Sequence, residues 1–235
     1  MGASVAIVDR QQTNVDNGLP PLEQGDRLMR PEFHRRYAAM PQGKRAELIE
    51  GVVYIPSPVR HITHSRPHAL VMGWLANYVA ATPGTDLGDN ATVILDAENE
   101  VQPDALLRLH TGRSVINADG YIEGAPELIV EIAASSASYD LHVKLPVYRR
   151  NQVQEAVIWQ VYDRRIDWFC LEEGAYVSLQ AGADGVIRSR AFPGLWLAVP
   201  AMLAEDLATV LAVLQQGVAS DEHAQFKAQV RAMPA

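Results

Sequence analysis

The stretch Glu127-Leu128-Ile129-Val130-Glu131-Ile132-Ala133 reads as a strand carrying a charge among apolar residues. Successive side chains of a strand turn to opposite faces. Leu128, Val130 and Ile132 share one face, and Glu127, Ile129, Glu131 and Ala133 share the other. Glu131 therefore sits mid-strand beside apolar neighbours on its own face. A lone carboxylate there is costly to bury unless something binds it. A bound cation answers that cost, as do hydrogen bonds or exposure of the face.

Upstream, Val101-Gln102-Pro103-Asp104-Ala105-Leu106-Leu107 places a second acid in an apolar, strand-like run. Pro103 cannot donate to a ladder, so this position begins a strand or lies at an edge. Asp104 is either a turn residue or a ligand. Two acids on neighbouring strands can share a hard cation through oxygen ligands, as Mg²⁺ prefers. Such an ion polarises a phosphoryl oxygen and lowers the pKa of bound water. Lys144 follows on the helix after the Glu131 strand, where a cation could stabilise transition-state charge. By spacing alone it is half of a surface i,i+4 pair with Asp140. In Ala46-Glu47-Leu48-Ile49-Glu50-Gly51, Glu50 fits the turn and Glu47 points with Ile49, either as a fourth acid or as a surface strand residue.

Other motifs yield less. His64 and His68 have the spacing of paired zinc ligands, and His61 lies nearby. No Glu follows His64, so H-E-x-x-H is absent, and a cap, a phosphate contact or a solvated face suits these residues better. The sole cysteine, Cys170, sits in an apolar stretch and reads as packing, without a disulfide, as in a reducing cytosol. There is no P-loop, G-x-S-x-G elbow, C-x-x-C pair or dinucleotide fingerprint.

Working outward, residues 1–25 read as a flexible arm. A short helix is predicted over Arg30–Met40 and a hairpin over Ala46–Ile55, turning at Glu50-Gly51. A longer helix is expected over Ser65–Ala81, closed by Thr82-Pro83-Gly84. Strands are expected over Ala91–Leu95, Val101–Leu109 and Glu127–Ala133. Residues 138–150 read as helical, with Pro146 at a kink or first turn. Ala156–Tyr162, Ile166–Leu171 and Tyr176–Leu179 read as a meander. A final helix is expected over Ala201–Gln216, with Gly217 as its stop. Its stripe Leu203, Leu207, Val210, Leu211 and Leu214 suits either the core or a dimer face. The residues from Val218 carry little signal.

The chain has 235 residues, 48% of them hydrophobic, enough for one sizeable core. No run approaches the roughly 20 apolar residues of a membrane span. The start lacks a signal-peptide pattern, so a cytoplasmic protein is expected. The net charge of −8 argues against a protein that coats DNA non-specifically. The charge is uneven, however. Arg27 to Arg66 holds eight Lys/Arg against three acids, while Asp86 to Glu131 holds ten acids against two Arg. Basic flanks around an acidic centre suit a metal site that holds a polyanion.

The run Ala46-Glu47-Leu48-Ile49-Glu50-Gly51-Val52-Val53, then Ser57-Pro58, Gln102-Pro103-Asp104, Pro126-Glu127-Leu128-Ile129-Val130-Glu131-Ile132 and Asp140–Lys144–Tyr148, resembles the Uma family. That family is a restriction-endonuclease-type branch of the PD-(D/E)xK nuclease superfamily. The likeness runs from about Arg30 to Gly217. It implies an α/β, restriction-endonuclease-like core: a central mixed β-sheet flanked by helices, plus a C-terminal β-meander and helix. It implies Asp104 and Glu131 as metal-binding carboxylates, Lys144 as the catalytic lysine and Glu47 as a further ligand. Tyr148 and His64 match supporting positions. The superfamily lysine stands two residues after the second acid, where this chain has Ala133, so Lys144 must reach in from the helix.

The expected organisation is an arm (1–25), a nuclease domain (26–217) and a tail (218–235). The expected activity is Mg²⁺- or Mn²⁺-dependent hydrolysis of DNA phosphodiesters. DNA and a second copy of the chain, as a homodimer, are the expected partners, with no membrane. The alternatives are a DNA-binding or regulatory module without turnover and a purely structural interaction protein.

Overall fold

A computed structural model describes residues 18–41, 43–134 and 140–232. Most of the expected arm, the start of the helix expected from Ser138 and the side chain of Asp140 lie outside the described residues.

Helix α1 (Arg30–Ala38) precedes the expected hairpin of β1 (Glu47–Ile49) and β2 (Val52–Tyr54). Its turn residues Glu50 and Gly51 have φ of 52° and 71°. Two successive left-handed residues match the strand twist, as hairpin turns require. A wide π-turn (His61–Ser65) leads into α2 (Arg66–Ala81). Strands β3 (Thr85–Asp89), β4 (Val93–Asp96), β5 (Asn99–Val101), β6 (Ala105–Leu109), β7 (Val115–Ile116), β8 (Ile122–Glu123) and β9 (Leu128–Ala133) follow. A second π-turn (Asp140–Lys144) runs into α3 (Leu145–Arg150), whose first turn holds Pro146. The expected meander is β10 (Glu155–Gln160), β11 (Arg165–Glu172) and β12 (Ala175–Ser178). The pair β13 (Val186–Arg188) and β14 (Trp196–Ala198), then α4 (Val199–Leu203), α5 (Leu207–Val218) and α6 (Asp221–Ala232), complete the described chain.

The central sheet has the order β12-β11-β10-β9-β6-β3. It is mixed: β9 and β10 run parallel and its other pairs antiparallel. The meander is thus one half of this sheet. One face carries Leu128, Val130 and Ile132 and packs with Val71 and Trp74 of α2 and Val210 and Leu214 of α5. The other carries Leu106 and Ile129 and packs with Ile49, Val93 and Val101 of a second sheet and Val147 and Tyr148 of α3. That second sheet has the order β2-β1-β5-β4-β8-β7.

Three local expectations change. The run expected over Val101–Leu109 splits between the sheets, because Pro103 has no N–H for a ladder; Gln102-Pro103-Asp104 is the crossing. The final helix breaks between α4 and α5, where Glu205 has φ 61° and the Asp206 side chain accepts from Thr209 N. Gly217 does not stop α5. It is buried, and a β-carbon there would fall 2.2 Å from Gly194 O, so it serves close packing. The leucine stripe of α4 and α5 is spent on this core rather than on a dimer face, with Leu207 against Gly73 of α2. Leu22 packs under the hairpin beside Phe33 and Leu48, and α6 buries His223 and Val230. No described helix is long and apolar enough to cross a membrane.

Candidate active site

Strand alternation acts three times to build the site. On β9, Ile129 faces the second sheet, so Glu131 does too. On β1, Ile49 faces the central sheet, so Glu47 points toward Glu131. On β6, Leu106 faces the second sheet, and Asp104 lies two residues earlier. The β6–β9 register pairs Ala105 with Val130. One step further, Asp104 stands opposite Glu131. The ladder ends there, and the Asp104 side chain takes over: Ile132 N donates to its Oδ2 at 2.7 Å. Glu47, Asp104 and Glu131 are all buried.

Lys144, also buried, lies between two of these acids. Its Nζ is 3.0 Å from Glu47 Oε1 and 3.1 Å from Glu131 Oε1. Tyr148, one turn later, donates its hydroxyl to the same Glu131 oxygen at 2.5 Å. Burial, and then the Glu131 charge, hold the Tyr148 phenol well above its ordinary pKa, so it remains a neutral donor. Gln102 N donates to Glu47 Oε1 at 2.8 Å, which fixes that carboxylate from the crossing itself.

The histidines serve Asp104. His64 Nε2 lies 3.0 Å from Asp104 Oδ1. His68 Nε2 lies 2.9 Å from the Asp104 carbonyl oxygen and 3.3 Å from Asp89 Oδ1. His64 thus meets the Asp104 carboxylate and His68 its backbone carbonyl and the Asp89 carboxylate, an arrangement unlike a zinc pair. Burial pushes the Asp104 carboxyl up. His64, the Ile132 N–H and Lys144 together outweigh it and hold the group below its usual value.

All six residues expected at the site, Glu47, His64, Asp104, Glu131, Lys144 and Tyr148, are brought together. Gln102 and His68 join them without having been assigned a site role. Their signals were the crossing at Pro103 and the i,i+4 spacing from His64. Among the described residues no three His, Cys, Asp or Glu side chains stand grouped as a ready metal cage. The Lys144 ammonium instead occupies the place of a cation between Glu47 and Glu131. Carboxylate oxygens suit a hard divalent ion, so the donor set fits Mg²⁺ or Mn²⁺ in its chemistry.

Comparison with known proteins bears on the family and the fold. The family model described as "Uma2: Putative restriction endonuclease" matches residues 30–200. No curated protein matches the chain. The fold is similar to the crystal structure of "a putative nuclease belonging to DUF820" from Anabaena variabilis ATCC 29413. That likeness has a TM-score of 0.58 at 14% identity and covers 75% of this chain and 98% of the other. The family match supports a nuclease at that general level, and the structural likeness supports the fold.

Proposed function

Because the chain belongs to the Uma2 family, we propose that it is a metal-dependent endonuclease hydrolysing phosphodiester bonds in DNA. One observation carries the reading. Three acids, Glu47 of β1, Glu131 of β9 and Asp104 of the crossing before β6, converge with one buried lysine between the two sheets. A fold gains little stability from such a cluster, since apolar packing of equal volume does as well or better.

Asp104, Glu131 and Glu47 would hold the Mg²⁺ or Mn²⁺. When bound, that ion supplies charge that polarises a phosphoryl oxygen and activates water. The chain's own residues do the rest. Ile132 N and His64 fix the Asp104 carboxylate in one orientation. Tyr148 fixes the Glu131 carboxylate in place through its short hydrogen bond. Lys144 places its ammonium where negative charge develops on the phosphate, a preorganised stabilisation that costs no reorganisation at the moment of reaction. We read the working form as a homodimer in the cytoplasm, because cutting both strands of a duplex takes two such sites.

The test is nicking of supercoiled plasmid in Mg²⁺ or Mn²⁺. Asp104→Ala and Lys144→Ala are each expected to lower the rate by about a hundredfold or more, the scale of one lost charge stabiliser. Equal cleavage by wild type and both variants would assign the activity elsewhere.

The lysine-filled cluster favours a second reading, a DNA-binding module without turnover. Duplex binding with no cleavage in any divalent metal would select it.

A further inference from the structure

Between the hairpin and α2 runs Ile55-Pro56-Ser57-Pro58-Val59-Arg60-His61-Ile62, exposed at every residue. Ile55 keeps 37% of its surface in water, Val59 62% and Ile62 69%. Scattered exposed apolar residues need no explanation, whereas a cluster of them beside a site does. Pro56 and Pro58 fix their own φ and restrict the residue before each, which stiffens the segment.

Both ends are tied to the acids. Tyr54 pairs with Glu47 in the hairpin, so the segment leaves β2 at the site end. Its other end is the π-turn whose His64 touches Asp104. Cations flank it. Arg60 makes no ion pair among the described residues. Lys44 and Arg45 enter β1 at the same end of the hairpin, and Arg45 bonds the Asn90 side chain rather than an acid, at 2.5 Å. Asn90 N in turn donates to Asp104 O at 3.1 Å. Asp89 is the acid on this rim, and His68 faces it.

Apolar tips between cations, on a stiff segment next to a phosphate-cutting site, have the chemistry of a nucleic-acid wedge. Such side chains press between base steps and bend the duplex, while Lys and Arg meet the phosphates. Resting on the endonuclease reading above, we propose that residues 55–62 are a DNA wedge. Val59 and Ile62 unstack a base step, Arg60 and Arg45 hold the flanking phosphates, and the bend seats the scissile phosphate at Asp104.

The experiment uses the full chain in Ca²⁺ and two duplexes of one sequence carrying 2-aminopurine, one fully paired and one with a bulge. Wild type is expected to raise 2-aminopurine fluorescence on the paired duplex. Val59→Ser with Ile62→Ser is expected to abolish that rise and weaken binding about tenfold or more, because the wedge contact is lost. Binding recovers on the bulged duplex, which is already unstacked. Both side chains are exposed, so the melting temperature should not move. Arg60→Gln is expected to weaken both duplexes alike and lower the salt slope by about 1. Equal affinity and fluorescence for wild type and the double variant, with plasmid nicking intact, would overturn the wedge and leave the endonuclease standing. Absence of both binding and nicking in wild type would overturn both.

Discussion

Lys144 answers two carboxylates at once, Glu47 at 3.0 Å and Glu131 at 3.1 Å. Removing it leaves like charges in a buried space, and breaking a buried pair in this way costs about 3–5 kcal/mol. Lys144→Met should therefore melt well below wild type in chelator. Mn²⁺ should restore much of the loss, because a cation can take the ammonium's place. Equal melting of variant and wild type in chelator would mean that the lysine is not balancing the acids. At this scale the sequence was partly legible. Glu131 was suspect from alternation alone, whereas Glu47 read by itself as a surface strand residue and was raised by the likeness to the Uma family. Lys144 was not readable from spacing, which suggested only a surface pair with Asp140. Its inward direction comes from the π-turn Asp140–Lys144, a geometry with no 3.6-residue signature. The likeness to the Uma family supplied what spacing could not.

Among the elements, β10 holds a buried acid outside the site, Glu155. Glu155 accepts from Trp168 Nε1, Ser189 Oγ, Arg190 N and Ala191 N. It thereby pins the loop after β13 to the central sheet. Glu155→Gln would present an amide to donors that need an acceptor, at a cost of about 2 kcal/mol for the group left unsatisfied. Urea unfolding should show that loss without a change in slope, and an unchanged midpoint would refute the role. Helix α6 offers a pH test. His223 is buried, with Nδ1 donating to Val218 O at 2.7 Å and Nε2 at 2.9 Å from Thr82 Oγ1. Burial, aided by Lys227 and against the Val218 carbonyl, lowers its pKa below 6.5. The unfolded chain then binds the proton more readily, so stability falls as pH drops from about 6.5 toward the folded pKa. His223→Asn should flatten that part of the stability–pH curve, and an unaltered curve would place the dependence elsewhere. Neither α6 nor the break before α5 was legible. The leucine stripe runs unbroken across Ala204–Asp206, and only the left-handed Glu205 and the Asp206 cap divide it.

At the scale of the molecule, the mixture of helices and strands followed from the sequence pattern, while the central mixed sheet flanked by helices came from the likeness to the Uma family. The second sheet followed from neither. Its strands β5, β7 and β8 have three residues or fewer, too short for an alternation to show. Yet that sheet supplies Glu47 and closes the site from above β9. The charge asymmetry has a physical place in this arrangement. Glu47, Asp104 and Glu131 line the interior, while Lys44, Arg45 and Arg60 stand at the end of the hairpin near Glu47. The central claim is that Glu47, Asp104 and Glu131 are the ligands of a divalent ion whose place Lys144 now fills. The most direct measurement is anomalous diffraction from crystals grown with Mn²⁺. The expected result is an ion bonded to Asp104 and Glu131, with the Lys144 ammonium moved off the carboxylates. A protein that cleaves DNA in Mn²⁺ while these carboxylates hold only Lys144, with the ion bound elsewhere, would contradict it.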